Sequence, residues 1–209
     1  MLALAFVQAS AGIALVATSV GFAVGLGRRL RSGPPGRLRA ARPPAGGTQL
    51  LWLLGTLVAI FWGVGAFVAP SYAYHWPAFA DFPGSSAVQL LGVGLSIAGG
   101  ILYSRSARAL GAQMTPNIEV REGDRIVEAG PYGRIRHPIY VAIVAIALGQ
   151  TFLFLSVPMA ALTVLLVGLA VYRAGLEERM LRTPEAFGAQ YDAYAARTGA
   201  FVPRRAVPR

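Results

Sequence analysis

From Ile139 to Val171 the chain runs for 33 positions without a charged residue. As one helix this stretch would measure about 50 Å at 1.5 Å per residue. A bilayer core is about 30 Å thick and takes about 20 residues to cross, so the stretch is too long for one crossing. Ser156-Val157-Pro158 lies near its middle, and proline ends or kinks a helix. The stretch is read as two short helices, about 139–155 and 158–174, folded back as a tight hairpin. Each is near the lower limit for a span, which thinning of the bilayer or an upright helix accommodates.

Composition agrees with a membrane chain. Charged residues make up 13% and hydrophobic residues 55%, against about 25% charged in soluble domains. Three further apolar runs precede the hairpin: Leu2 to Leu26, Leu50 to Ala69 (stopped by Pro70), and Ala87 to Ser104. A signal peptide would need a basic leader and an apolar core of about 7–15 residues. Nothing basic precedes the first run and it is longer than that, so it reads as a retained helix. The expected fold is an all-α integral membrane protein with about five transmembrane helices. The chain has no cysteine, which excludes disulfides, thiol catalysis and Cys-metal sites. His75 and His137 lie far apart, which argues against a His-rich metal site, and no metal is expected.

The loops give the orientation. All 19 basic residues are arginine. Six fall in 27–48, an irregular Gly/Pro-rich loop, six in 105–136, and seven from Arg173 onward. Residues 70–86 carry none, only Asp81 with Tyr72, Tyr74, Trp76, Phe79 and Phe82, which looks like an aromatic interfacial belt. Every arginine lies on one side of a five-crossing chain, and the positive-inside rule makes that side cytoplasmic. The N-terminus is expected outside and the C-terminus inside. Topology thus accounts for the net charge of +10, and nucleic acid is not an expected partner. Within 105–136, Ile118-Glu119-Val120 and Arg125-Ile126-Val127 flank Glu122-Gly123-Asp124, a spacing that predicts a small hairpin.

Two clusters bracket the uncharged stretch. Gly130-Pro131-Tyr132 and Arg136-His137-Pro138-Ile139-Tyr140 precede it; Tyr172-Arg173 and Glu177-Glu178 close it. Pro138 suits the first turn of a helix, where its missing N–H is no loss. His137 then sits at the lipid boundary, as a cap or anchor or as a functional group. Arg173 and Glu177 are four apart and share a helix face, as an ion pair beside a snorkelling arginine or as part of a site. An antiparallel hairpin brings both ends together. The result is a polar pocket open to the cytoplasm with an apolar wall reaching into lipid. Ionisable groups at that depth read as functional by default.

The order and spacing of these pieces resemble the isoprenylcysteine carboxyl methyltransferase family, with its prokaryotic relatives and the related phospholipid methyltransferases. The resemblance rests on Gly130-Pro131-Tyr132, the Arg136–Tyr140 run, the apolar hairpin, Arg173 with Glu177-Glu178, and the tail Phe187-Gly188-Ala189-Gln190-Tyr191-Asp192-Ala193-Tyr194 leading towards Pro203. It covers about residues 100–205. The chain is accordingly divided into 1–85, a two-helix membrane region with its arginine-rich loop, and 86–209, a methyltransferase core.

The resemblance implies S-adenosylmethionine as methyl donor, held in a cytoplasm-facing pocket. Carried over position by position, Tyr132, His137, Pro138, Ile139 and Tyr140 line that pocket, and Val127 forms part of the adenosine wall. Asn117 matches a polar cofactor contact more loosely. Glu177 holds the methionine ammonium, and Arg173 is the catalytic position, holding the acceptor carboxylate. No glycine-rich Rossmann fingerprint appears.

The implied activity is transfer of a methyl group to a lipophilic or amphiphilic acceptor. A carboxylate is favoured because it is ionised at pH 7 and needs no general base; an amine would need one from Glu177, Glu178 or His137. The alternatives are a phospholipid N-methyltransferase and a non-catalytic relative that keeps the fold. A transporter is disfavoured, since the crossings hold few polar residues beyond Gln89 and Gln150. Expected partners are a lipid or lipophilic substrate and membrane lipids. The absence of lysine and a GC-rich flavour point to a bacterial inner membrane.

Overall fold

The computed structural model describes residues 2–31, 36–68 and 82–204. The aromatic segment from Pro70 to Asp81, with His75, lies outside the described residues. The chain is mostly helical. Helices α1 (Leu4–Arg31) and α2 (Thr48–Val68) come first. Then follow α3 (Ser85–Leu110), α4 (Pro138–Phe154) and α5 (Val157–Leu181), and a short α6 (Ala189–Arg197). Two stretches are long and apolar enough to cross a membrane by length and composition, Ser85–Gln113 and Val157–Leu181. Ala5–Val20, Thr48–Val64 and Pro138–Phe154 are shorter apolar helical stretches.

The uncharged stretch breaks at Leu155-Ser156. Leu155 adopts a left-handed backbone (φ 51°), which ends α4. The Ser156 hydroxyl then caps α5 by accepting from the Met159 N–H at 3.4 Å. Pro158 sits in the first turn of α5, where no backbone donor is missed. The Thr151 and Thr163 hydroxyls meet at 3.0 Å between the two helices.

Small residues let α3 and α4 approach closely. A Cβ on Gly92 would come within 2.7 Å of the Gly149 carbonyl oxygen, and one on Gly149 within 2.6 Å of the Ser96 nitrogen. In lipid there is little hydrophobic drive between helices, so contact of this kind holds them. The main core is built around Trp52, Tyr103, Ile143, Met159, Leu166 and Leu169.

The arginine-bearing segments fold differently from the expected local hairpin. Strand β1 (Leu38–Ala41) pairs antiparallel with β2 (Glu119–Arg121), in the register Ala40 opposite Val120. Residues 125–127 form no strand. Two local contacts explain this. The Asp124 carboxylate accepts the Arg121 N–H at 2.7 Å. The Gln113 side chain takes up the Arg125 backbone, donating to its carbonyl at 2.8 Å. The free edge of β2 is instead completed from the 27–48 segment, which is therefore not wholly irregular. Arg39 extends the contact by donating to the Ala186 carbonyl at 2.8 Å.

Candidate active site

The residue before a proline is pushed away from helical backbone. Pro138 begins α4, so His137 lies outside the helix, and the Arg136 and His137 backbone needs other partners. The tail beyond α6 supplies them. The Arg136 and His137 N–H groups donate to the Gly199 and Ala200 carbonyls at 2.8 and 3.1 Å. The Gly199 N–H returns to the Arg134 carbonyl at 3.1 Å. His137 is thereby fixed at the start of α4, and the last turns of α5 bring two glutamates to it.

His137 bridges both glutamates. Its Nε2 lies 3.2 Å from Glu178 Oε1 and its Nδ1 3.6 Å from Glu177 Oε2. Arg136 donates through Nε to Glu178 Oε1 at 2.8 Å, and through Nη1 to the Ala195 and Thr198 carbonyls. The Tyr140 hydroxyl donates to Glu177 Oε2 at 2.9 Å. The Tyr140 ring stacks on His137 with centroids 5.4 Å apart, and the Phe201 ring is tilted against His137 at 5.6 Å. Burial alone would lower the His137 pKa, but its hydrogen bonds to Glu177 and Glu178 outweigh this and raise it to about 9. His137 is therefore a buried cation at neutral pH. Burial, reinforced by the Glu177 charge, keeps the Tyr132 phenol protonated well above its ordinary range.

Arg173 does not pair with Glu177. It is 2% exposed and is held from the other side. One terminal nitrogen donates to Gln49 Oε1, and the other donates to the Pro116 carbonyl at 2.8 Å. The guanidinium lies over the Trp52 ring at 5.5 Å, and Trp52 in turn meets Tyr140 edge-on at 5.2 Å. Arg173 is thus a packed, fixed cation rather than a side chain reaching for the interface.

A cavity of about 780 Å³ joins these groups. Asn117, Val127, Tyr132, His137, Ile139, Tyr140, Arg173 and Glu177 all contribute to its wall. Pro138 is fully buried and starts the helix behind it instead. Asn117 is otherwise exposed, with its N–H on the Thr115 hydroxyl at 3.2 Å. The opposite arm of the cavity is apolar, lined by Leu53, Leu57, Ile60 and Phe61 of α2 with Thr18 and Ser19 of α1. Leu57 and Phe61 are about half exposed, at 51% and 48%, so this arm reaches the outer surface of the helices.

Residues 92–183 match the sequence model of the isoprenylcysteine carboxyl methyltransferase family. No curated protein matches the chain. The matched segment holds α3 from its third turn, the loop, α4 and α5. His137, Tyr140, Arg173 and the two glutamates all lie inside the matched segment.

Several groups around the site lie outside that segment. Gln49 and Trp52 come from α2, and Tyr191 and Tyr194 from α6. The two tyrosines were within reach of sequence reasoning, since they belong to the tail motif. Trp52 looks like any aromatic in an apolar run, and Gln49 like any polar residue at a helix start. Tyr103 of α3 and the Pro116 carbonyl carry no local signal either.

Proposed function

We propose that this protein is an integral membrane methyltransferase that uses S-adenosylmethionine and methylates a lipophilic acceptor at an isoprenylcysteine-type carboxylate. The observation that supports this most is the continuity of one cavity, from the His137–Glu177 network past Arg173 to the apolar walls of α1 and α2. The residues fit the cofactor. The volume of about 780 Å³ is in the range of about 300–1,000 Å³ usual for small-molecule sites. Glu177 keeps a third of its side chain (33%) exposed, and its carboxylate has lone pairs beyond the one Tyr140 uses. It would hold the ammonium, while Tyr132, Ile139 and Val127 would wall the adenosine. When bound, S-adenosylmethionine supplies an electrophilic methyl group, whose transfer to a carboxylate oxygen gives a methyl ester and S-adenosylhomocysteine.

The chain's own task is to bind and align. A carboxylate acceptor is already ionised at pH 7. Arg173 would orient it through a planar fork of donors. Holding two reactants in line is worth about 7–11 kcal/mol of a barrier. The apolar arm would take the greasy part of the acceptor from the side. Five crossings, with α1, α2 and α4 completing the two longer spans, would set the arginine-bearing segments and the site on the cytoplasmic side of a bacterial inner membrane.

The test is calorimetric titration of the detergent-purified protein with S-adenosylhomocysteine, followed by incubation with a labelled methyl donor and candidate acceptors. Binding, with label in the ester of a prenylated cysteine, supports the reading. Label on the amine of a phospholipid moves it to N-methylation. No binding leaves a non-catalytic relative.

A further inference from the structure

Arg173 is a buried cation whose hydrogen bonds and ring contact go to neutral groups, while the Glu177 carboxylate acts on it from beyond ion-pair contact. Its terminal nitrogens donate to the Gln49 amide oxygen and the Pro116 carbonyl, and its face rests on Trp52. Its Nε has no hydrogen-bond partner among the described residues, and no ion pair there involves it. A buried charge with no counter-charge in contact is costly. The cavity beside Arg173 is where an anion could complete it.

Gln49 is half-buried and held through both ends of its amide. Its Nε2 donates to the Pro116 carbonyl at 3.1 Å while its Oε1 accepts from Arg173. The three groups form a closed triangle, which also sets the direction of the amide. Next to it, the Ala45 N–H donates to the Tyr172 hydroxyl at 3.1 Å. The start of α2, outside the family segment, is therefore wrapped around residues 172–173. A carboxylate at position 49 would neutralise Arg173 from within. An amide orients the guanidinium and leaves its charge unspent.

We propose that Gln49 is a positioning and specificity-determining residue: it aims Arg173 without placing a counter-charge against it, so that the site selects an acceptor with an anionic head. The proposal rests on the reading that the acceptor's anion meets Arg173. It adds that the choice is made by the neutral side chain at position 49, supplied by the N-terminal region.

The experiment uses the full chain in detergent, saturated with S-adenosylhomocysteine, and titrates N-acetyl-S-farnesylcysteine and its methyl ester by calorimetry. Wild type should prefer the acid over the ester by tenfold or more. Gln49→Glu should abolish that preference, leave S-adenosylhomocysteine affinity within about twofold, and keep or raise the melting temperature. Gln49→Ala, which adds no charge, should lower the preference severalfold and serves if the glutamate variant does not fold. An acid-to-ester ratio unchanged in both variants overturns the proposal. A wild type that binds acid and ester equally overturns it too, by removing the anion at Arg173, while intact S-adenosylhomocysteine binding would still uphold the cofactor reading.

Discussion

His137 at the start of α4 lies 3.2 Å from Glu178 near the end of α5, so one contact ties together the two ends of the uncharged stretch. Glu178 is also the hub for Arg136 at 2.8 Å and Arg182 at 3.2 Å. Glu178 thus braces the site from behind, while Glu177, one residue earlier, faces the cavity.

The His137 contacts make stability depend on pH. Its folded pKa, about 9, is above the ordinary value of 6.5. The folded state therefore holds a proton that the unfolded chain releases between these values. The contribution is full below about pH 6.5 and is lost as pH rises through about 9, a difference of at most about 3 kcal/mol. Melting temperatures in detergent should fall from pH 6.5 to 9.5 more steeply in wild type than in His137→Gln. Parallel curves would show that His137 is not charged.

Glu177→Gln should weaken S-adenosylhomocysteine binding about tenfold or more, because a hydrogen bond to a charged group is worth about 1.5–3 kcal/mol. Calorimetry of the folded variant measures this. Wild-type affinity would remove Glu177 from the cofactor site.

Arg173→Lys should cut turnover strongly and leave cofactor affinity near wild type. Lysine keeps the charge but cannot hold Gln49 and the Pro116 carbonyl with one planar fork. Parallel measurement of turnover and S-adenosylhomocysteine affinity separates the roles; a large loss of affinity would assign Arg173 to the cofactor instead.

Gly149→Ala should destabilise the α3–α4 contact by about 1–3 kcal/mol, since overpacking forces a backbone shift. The added Cβ would meet the Ser96 backbone nitrogen at 2.6 Å. Thermal unfolding should show a clear drop, whereas Gly168→Ala, which meets nothing within 4 Å, should be nearly silent.

Reporter fusions after residues 40, 83, 120 and 204 should read inside, outside, inside and inside. An inside signal at residue 83 would refute five crossings.

Much of the helical framework was legible because its signals are local. Pro138 marks the start of α4 and Pro158 the first turn of α5, and the expected ends differ from the observed ones by a few residues, except that α5 runs on to Leu181. The gathering of His137 with Glu177 followed from folding the stretch back on itself. The β1–β2 pairing did not follow, because Ala40 and Val120 lie far apart in the chain and the local turn at Gly123 was the more obvious partner.

What the sequence determined by itself was where polar groups are excluded and where they return, since the absence of charge over 33 residues leaves the backbone few alternatives in an apolar medium. It could not determine what Arg173 touches. Spacing by four directs attention to Glu177 on the same face, yet the guanidinium turns to Gln49, which is 124 residues away. That choice depends on α2 packing against α5, with Trp52 under the arginine and the Pro116 carbonyl beside it. A hydrogen bond between distant residues leaves no periodicity in either segment, so only the tertiary structure decides it.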